Sequence, residues 1–394
     1  MPHLKVKPFD TDSMEDILAQ SGFVTFVAHA LNCEEKLLGI HYQGEVFLLQ
    51  LKKDPNGYLL KYEKVTRPLK VRLLKEALQQ VAQTLELEVL SSNIAISQTK
   101  APLSSDYFKK IEAFESITYP KQKVCVEVGF GSGRHLLHQA KKNPDTLFIG
   151  LEIHTPSAQQ VLKQIALQEI ENIWVVNYDA RLFLEMLPSN ICEKIYVHFP
   201  VPWDKKPHRR VISPSFLEES LRVLNPGGQL ELRTDSDNYF WYSLETFFGV
   251  PKVEVTVRKN EALEVTSKYE ARWLKQEKDI YDVYVKATEL SSPKPDPLEF
   301  NFNGVKYTVD IENRLPKDAL VFETYFVHFE RVYKIDGQKF LLKAAFGSFD
   351  RPEHKYILLE AQSCSYFASE PVKTSVNYLA HQTIVEQLMQ TQGA

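Results

Sequence analysis

Two hydrophobic rhythms run along the chain, and the change from one to the other divides it. Up to about residue 97 the period is mostly two. Stretches 23–27, 37–42, 46–51 and 58–62 read as strands, and Asp54-Pro-Asn-Gly57 supplies the residue types of a hairpin turn. Leu73, Leu74, Ala77, Leu78, Val81 and Leu85 then recur at helical spacing, which predicts an amphipathic helix within 69–87. From about 98 to 290 strands alternate with helices. Strands are expected at 124–128, 146–151, 173–176, 194–199, 229–233, 253–258 and 281–286. Helices are expected at 134–141, 181–187, 214–224 and 239–248, with a turn at Asn225-Pro-Gly-Gly228. That order implies a mostly parallel sheet with helices on both faces. Ser291-Ser-Pro-Lys-Pro-Asp-Pro297 cannot continue a helix or a central strand and marks a linker over 291–298. Beyond it come strands at 339–344 and 356–360 and a helix over 376–389. The expected organisation is α/β, with an α+β segment over 1–97, the alternating domain over 98–290, and a second α+β segment over 299–394. Gly337-Gln-Lys-Phe-Leu-Leu-Lys echoes Gly44-Glu-Val-Phe-Leu-Leu-Gln, which convergent strand composition explains as well as duplication does.

The richest stretch is Val124-Cys-Val-Glu-Val-Gly-Phe-Gly-Ser-Gly133, a strand running into a glycine turn and then a helix. Gly129, Gly131 and Gly133 let backbone approach a ligand without interference from a Cβ. A dinucleotide fingerprint would read G-x-G-x-x-G. Here the third glycine arrives one residue early, and Glu127 stands two residues before the first. A carboxylate there repels a pyrophosphate and suits an ammonium or sulfonium charge. S-adenosylmethionine carries both. Glu152 ends the second strand, where it can accept hydrogen bonds from both ribose hydroxyls, and Asp179 follows the third, where it can accept from the adenine amino group. A glycine turn by itself can serve only helix packing, and each acid by itself reads as a solvated loop residue. Three acids at the ends of successive strands point to a cofactor site.

Composition narrows the field further. A chain of 394 residues that is 44% hydrophobic holds two or three packed domains. Cysteines at 33, 125, 192 and 364 are too widely spaced for C-x-x-C pairs, so neither a zinc ribbon nor a disulfide framework is supported, and no metal is expected. Sparse thiols fit a reducing cytosol. The N-terminus lacks the apolar core of a signal peptide and no run is long enough to cross a bilayer, so a soluble cytoplasmic protein without a membrane partner is expected. Net charge is −4, so a nucleic-acid partner must be held by a local basic cluster.

One such cluster follows the fourth strand of the central domain, in His198-Phe-Pro-Val-Pro-Trp-Asp-Lys-Lys-Pro-His-Arg-Arg210. Its prolines stiffen the loop. Trp203 offers a flat surface for a base, and Lys205, Lys206, His208, Arg209 and Arg210 suit phosphates. A solvated loop would explain a basic run alone, but this one lies at the sheet edge that carries the cofactor acids.

Together these residues resemble the bacterial tRNA (guanine-N7)-methyltransferase family. The resemblance covers roughly 120–285, in Glu127-Val-Gly-Phe-Gly-Ser-Gly133, Gly150-Leu-Glu-Ile-His154, Asp179-Ala180, Phe199-Pro-Val-Pro-Trp-Asp-Lys205 with His208-Arg-Arg210, Arg233-Thr-Asp235 and Ser267-Lys-Tyr-Glu270. It implies a Rossmann-like seven-stranded methyltransferase sheet, S-adenosylmethionine as methyl donor, and methylation of a guanine N7 in the tRNA variable loop. By the same likeness Glu127, Glu152 and Asp179 with the glycine loop would hold the cofactor. Lys205, Arg209, Arg210, Asp235, Ser267, Lys268, Tyr269 and Glu270 would contact the nucleotide, with Trp203 and Asp235 nearest the chemistry. Two departures stand out: Val201 replaces the family's aspartate, and Ser267 replaces its threonine. Guanine N7 has an in-plane lone pair and no proton, so transfer needs alignment rather than a base, and activity is expected despite Val201. The competing readings are a methyltransferase of another RNA or of a protein, and a non-catalytic tRNA-binding protein. Cys192 precedes the fourth strand, away from the loop where methylation at cytosine C5 would need a thiol.

Overall fold

The computed structural model describes residues 2–11, 13–66, 71–94, 106–120, 123–261, 279–294, 298–305, 310–349 and 351–390. The chain forms two compact units. One joins residues 1–100 to 298–394, and the other is 101–297.

In the first unit the N-terminal residues give β1 (His3–Val6), the short helix α1 (Met14–Ala19), β2 (Val24–Ala30), β3 (Glu35–Tyr42), β4 (Glu45–Asp54), β5 (Gly57–Tyr62), α2 (Val71–Thr84) and β6 (Val89–Ser92). The expected hairpin at Pro55-Asn56 joins β4 to β5.

The second unit contains β7 (Lys123–Val128), α3 (Arg134–Lys142), β8 (Thr146–Leu151), α4 (Thr155–Leu167), β9 (Ile173–Val176), α5 (Ala180–Phe183), β10 (Cys192–His198), α6 (Pro214–Val223), β11 (Leu224–Thr234), α7 (Asp237–Phe248), β12 (Glu254–Lys259) and β13 (Tyr281–Lys286). Its sheet runs β12-β13-β11-β10-β7-β8-β9. Strands β7 to β11 are parallel, and β13 inserts antiparallel between β11 and β12. This is the seven-stranded sheet that the resemblance implies. Strands β7, β8 and β9 are buried on both faces and so read as continuous apolar runs. Helix starts follow ordinary capping: Ser213 accepts from Phe216 N ahead of Pro214, and Ser236 accepts from Tyr239 N at α7. The turn expected at Asn225–Gly228 is instead the irregular opening of β11. Cys192 pairs with Leu224 and Lys194 with Gln229, so extra residues bulge there.

The C-terminal segment returns to the first unit with β14 (Leu320–Val321), β15 (Tyr325–Asp336), β16 (Lys339–Ser348), β17 (Glu353–Leu359), β18 (Cys364–Phe367) and a helix at Ser375–Gln390. The sheet order is β18-β17-β16-β15-β2-β3-β4-β5-β1-β6, with β14 also beside β15. The two flanks thus share one sheet, joined where Tyr333 pairs with Ala30 and Lys334 with His29. The Gly44 and Gly337 echo falls at equivalent hairpin turns, β3 to β4 and β15 to β16.

On one face each half packs its own helix-covered core, around Phe47, Leu49 and Leu74 in the N-terminal half and Leu342, Phe346 and Ile384 in the other. On the opposite face the halves meet. Ala28, Leu37 and Leu48 pack with Tyr333, Leu341 and Tyr356. Phe26 touches Phe367 edge-on, ring centroids 5.5 Å apart, although their strands are four places apart in sheet order. The sheet is therefore strongly curved. Glu35, 4% exposed, sits in that seam and accepts from Tyr333 Oη at 2.6 Å and Arg331 at 3.0 Å, with Lys52 Nζ at 2.8 Å. Burial alone would raise its pKa, but the Lys52 and Tyr333 hydrogen bonds hold it below the ordinary value.

Glu330 makes a second ionic site, 3.1 Å from His354 Nδ1 and 3.0 Å from Lys343 Nζ. The His354 bond, against some burial and with help from Lys343, lowers its pKa from 4.5 to about 2. A depressed carboxylate contributes stability above its unfolded pKa and loses it as pH falls through the folded one. We expect Glu330→Gln to flatten the fall in stability between about pH 4.5 and 2, measured by urea unfolding across that range. An unaltered acid limb would refute the assignment.

Candidate active site

Strand β7 lies between β8 and β10, and the chain proceeds from β7 toward β9 on one side and from β10 toward β11 on the other. Loops after β7 and β10 therefore diverge and open a crevice at the carboxyl edge, where open α/β sheets bind ligands.

The glycine turn forms one wall of this crevice. Gly129, Gly131 and Gly133 all have positive φ, at 67°, 53° and 70°. Their reasons differ. A Cβ on Gly133 would come within 2.4 Å of Val161, so that glycine lets α3 pack against α4. A Cβ on Gly129 would meet nothing within 4 Å, and one on Gly131 only the Gly129 carbonyl at 4.0 Å. These two border open space, a cradle a ligand can fill. Backbone bonds from Gly129 N and Phe130 N to Leu151 O tie the turn to the end of β8.

Each of the three acids has protein partners. Glu152, 9% exposed, accepts from Gly131 N and His154 N, both at 2.9 Å, and so shapes the cradle it borders. A carboxylate has about four acceptor positions, which leaves it capacity for hydroxyl donors. Asn177 donates to the Glu152 carbonyl and links the ends of β8 and β9. Asp179 caps α5 through Arg181 N at 3.0 Å, and the Arg181 guanidinium grips it at 3.1 and 2.9 Å. Glu127 is 3% exposed and bonds His135 Nδ1 at 2.8 Å. Burial opposes a proton on His135, but the Glu127 charge outweighs it and raises the pKa.

The loop after β10 forms the other wall. Phe199 and Trp203 adopt φ of 51° and 46°, a region bulky residues avoid, at a cost of about 1–3 kcal/mol each. Such strain persists only where surroundings enforce it. Phe199 N is held by Arg233 O at 2.7 Å. Arg210 holds the rest: Nε donates to Pro202 O at 2.7 Å, a terminal nitrogen lies 3.4 Å from Asp204, and the guanidinium stacks 4.4 Å from the Tyr242 ring. Arg210 is 7% exposed. Grouped by sequence with the phosphate contacts, it is instead an internal clamp, because its donors are already directed into the loop. Arg209 lies over Trp203 at 5.2 Å, and Trp203, Lys205, Lys206 and Arg209 are exposed. Val201 is 59% exposed. Asp235 follows β11 at the same edge, before the Ser236 cap. Ser267, Lys268, Tyr269 and Glu270 lie outside the described residues.

Beneath the crevice is a polar layer that the sequence reading passed over. His198 Nε2 bonds Glu231 at 2.9 Å, the His135 and His198 rings are 4.6 Å apart, and Tyr196 lies 4.9 Å from His135. Its signal was available: Lys194, Tyr196 and His198, like Glu231 and Arg233, place polar groups two apart in otherwise apolar strands. Arg233 and Asp282, 1% and 0% exposed, face each other across β11 and β13 at 2.5 Å. Cys192 is fully buried, and burial pushes its thiol pKa well up, so it offers no thiolate.

A family model described as "Putative methyltransferase" matches residues 121–283. The tRNA (guanine-N(7)-)-methyltransferase of Wolinella succinogenes is 40% identical over 93% of this chain and 94% of its own. Proteins of the same name from Helicobacter pylori J99 and Campylobacter jejuni 81-176 are 40% and 38% identical, covering 97% and 96% of this chain and 95% and 96% of theirs. The match extends through both flanking segments, beyond the 120–285 stretch that carries the sequence motifs. Among solved structures, the 16S rRNA methyltransferase KamB aligns over 45% of this chain and 92% of its own, with TM-score 0.35 and 17% identity.

Proposed function

The chain belongs to the tRNA (guanine-N(7)-)-methyltransferase family, and on that premise we propose how its crevice methylates guanine N7 in tRNA. The observation that carries the reading is the open cradle above Gly129 and Gly131, bordered by Glu152 and facing the strained Trp203 loop across the switch point. S-adenosylmethionine, when bound, supplies an electrophilic methyl group on a sulfonium. Glu152, whose carboxylate is held by backbone N–H groups, gives the cradle the negative character such a cation favours, while Glu127 and Asp179, paired with His135 and Arg181, stand at the same edge as acceptors. Glu152 accepts from hydroxyl donors while keeping Gly131 in place.

The acceptor side follows from the chemistry of guanine. N7 presents a lone pair in the ring plane and carries no proton, so no side chain has to remove one. The protein's task is to hold that lone pair on line, worth several kcal/mol through proximity alone. Trp203 gives the base a flat support, and Lys205, Lys206 and Arg209 offer exposed cations for flanking phosphates. Methylation leaves a positive charge on the base, which Asp204 in the loop after β10 and Asp235 after β11 can help to balance. No step depends on an acid at position 201, consistent with Val201 in an active enzyme. We place the target guanine in the variable loop and the reaction in the cytoplasm.

Incubating the protein with unmodified tRNA and methyl-labelled cofactor tests this directly. The expected product is N7-methylguanosine. Label at another position would redirect the substrate assignment, and tRNA binding without label would mean a scaffold. Glu152→Ala should weaken cofactor binding by about tenfold or more, since a charge-assisted bond is worth roughly 1.5–3 kcal/mol. Normal affinity by calorimetry would remove Glu152 from the site.

A further inference from the structure

The tRNA reading leaves a strongly basic stretch of the first unit without a role. Residues 61–75 contain Lys61, Lys64, Arg67, Lys70, Arg72 and Lys75, and Glu63 is the only acid among them. Glu63 offsets them only in part: it is 5% exposed, its carboxylate accepts from Val65 N at 2.6 Å and Thr66 N at 3.2 Å, and its charge favours the Lys61 ammonium without restoring that group's ordinary pKa. Arg72 is paired with Glu76. Lys61 and Lys64 are different.

Lys61 is opposite Gln50 in the β4 and β5 ladder, and Lys52 is diagonal to it on the same face. Lys64 is exposed just beyond β5. Lys61 is part-buried, yet its ammonium has no hydrogen-bond or ion-pair partner among the described residues. Burial, then the nearby charges of Lys52 and Lys64, pull its pKa below the ordinary value. Lys52 already neutralises Glu35, so that acid is shared rather than free. A part-buried cation beside two others works against folding, and the charges of Glu35 and Glu63 offset that only in part, since the pKa stays below its ordinary value. An external anion would complete the offset.

We propose that Lys61 and Lys64, with Lys52 behind them, form a second contact surface for the phosphodiester backbone of tRNA. The proposal rests on tRNA being the substrate. RNA is the favoured anion because adjacent phosphates repeat along a strand and can meet successive lysines at once.

The test uses the full-length double variant Lys61→Met/Lys64→Gln, which keeps apolar stems and removes two charges. The double variant Lys317→Gln/Lys334→Gln, at two exposed lysines of the C-terminal half, controls for net charge. We expect tRNA affinity at 0.1 M salt to fall by about tenfold per lost contact, and the slope of log affinity on log salt to lessen by about 1.4–1.8. Cofactor affinity should stay unchanged, and Tm should hold or rise because a part-buried charge repelled by its neighbours is gone. Affinity and slope equal to wild type, or equal losses in Lys317→Gln/Lys334→Gln, would overturn the surface and leave the enzyme's assignment standing. Wild-type protein that fails to bind tRNA would overturn both.

Discussion

Arg210→Ala lowers kcat for tRNA methylation by about a hundredfold, while the salt slope of tRNA binding stays as in wild type. The size follows from geometry: displacing a reacting group by about 1 Å can cost on that order. Without the guanidinium, the Pro202 carbonyl and Asp204 lose their anchor, and Tyr242 loses the plane stacked on it. Only the Lys206 N bond to Trp203 O and the Arg209 stack then oppose relaxation of Trp203 from its unfavourable φ of 46°. The loop relaxes and the base loses its platform. Arg209→Ala should behave in the opposite way, because that guanidinium is exposed over Trp203. Its slope should lessen by about 0.7–0.9 with kcat largely retained. Arg210→Lys should recover activity only in part, since an ammonium cannot stack or present a planar fork. If Arg210→Ala shifts the salt slope as Arg209→Ala does, Arg210 contacts phosphate and the clamp is wrong.

Asp282→Ala destabilises the methyltransferase unit by about 3–5 kcal/mol, because it strands the Arg233 guanidinium in the sheet. Arg233 is 1% exposed and also donates to Glu261 O at 2.9 Å, so it cannot swing into water without giving up that bond. The double variant Asp282→Ala/Arg233→Leu removes both charges and should restore most of the loss. Urea unfolding followed by a probe in residues 101–297 reads both numbers. A single variant within about 1 kcal/mol of wild type would show that water reaches the pair. Arg233 also leads into Thr234 and Asp235, so the single variant should loosen the crevice edge before the unit melts.

Much of the catalytic unit was legible because its signals are local. Strands β7, β8 and β9 are short apolar runs, and a glycine turn or acid follows each. Periodicity and position within a parallel sheet were then enough to place Glu152 and Asp179 at one edge. Arg210 was misplaced because a basic run reveals charge and conceals direction; only the Pro202 carbonyl and Tyr242 ring show where this arginine points. The Asn225–Gly228 stretch has the composition of a turn, yet pairing between Cys192 and Leu224 draws it into β11. The joining of β2 to β15 was beyond local reading altogether. Ala30 and Tyr333 carry no mark of each other, and strand pairs that distant follow from topology alone.

The curved sheet is assembled from the first and last hundred residues, with the whole catalytic unit translated between them. At roughly 5–20 residues per second, Ala28, Leu37 and Leu48 wait about 15–65 s on the ribosome before Leu341 and Tyr356 emerge to cover them. During that interval a nascent apolar surface and the open edge of β2 are available to wrong partners. A trigger-type holdase, or slow codons placed after residue 300, would therefore influence how much enzyme a cell obtains without altering any property of the finished molecule.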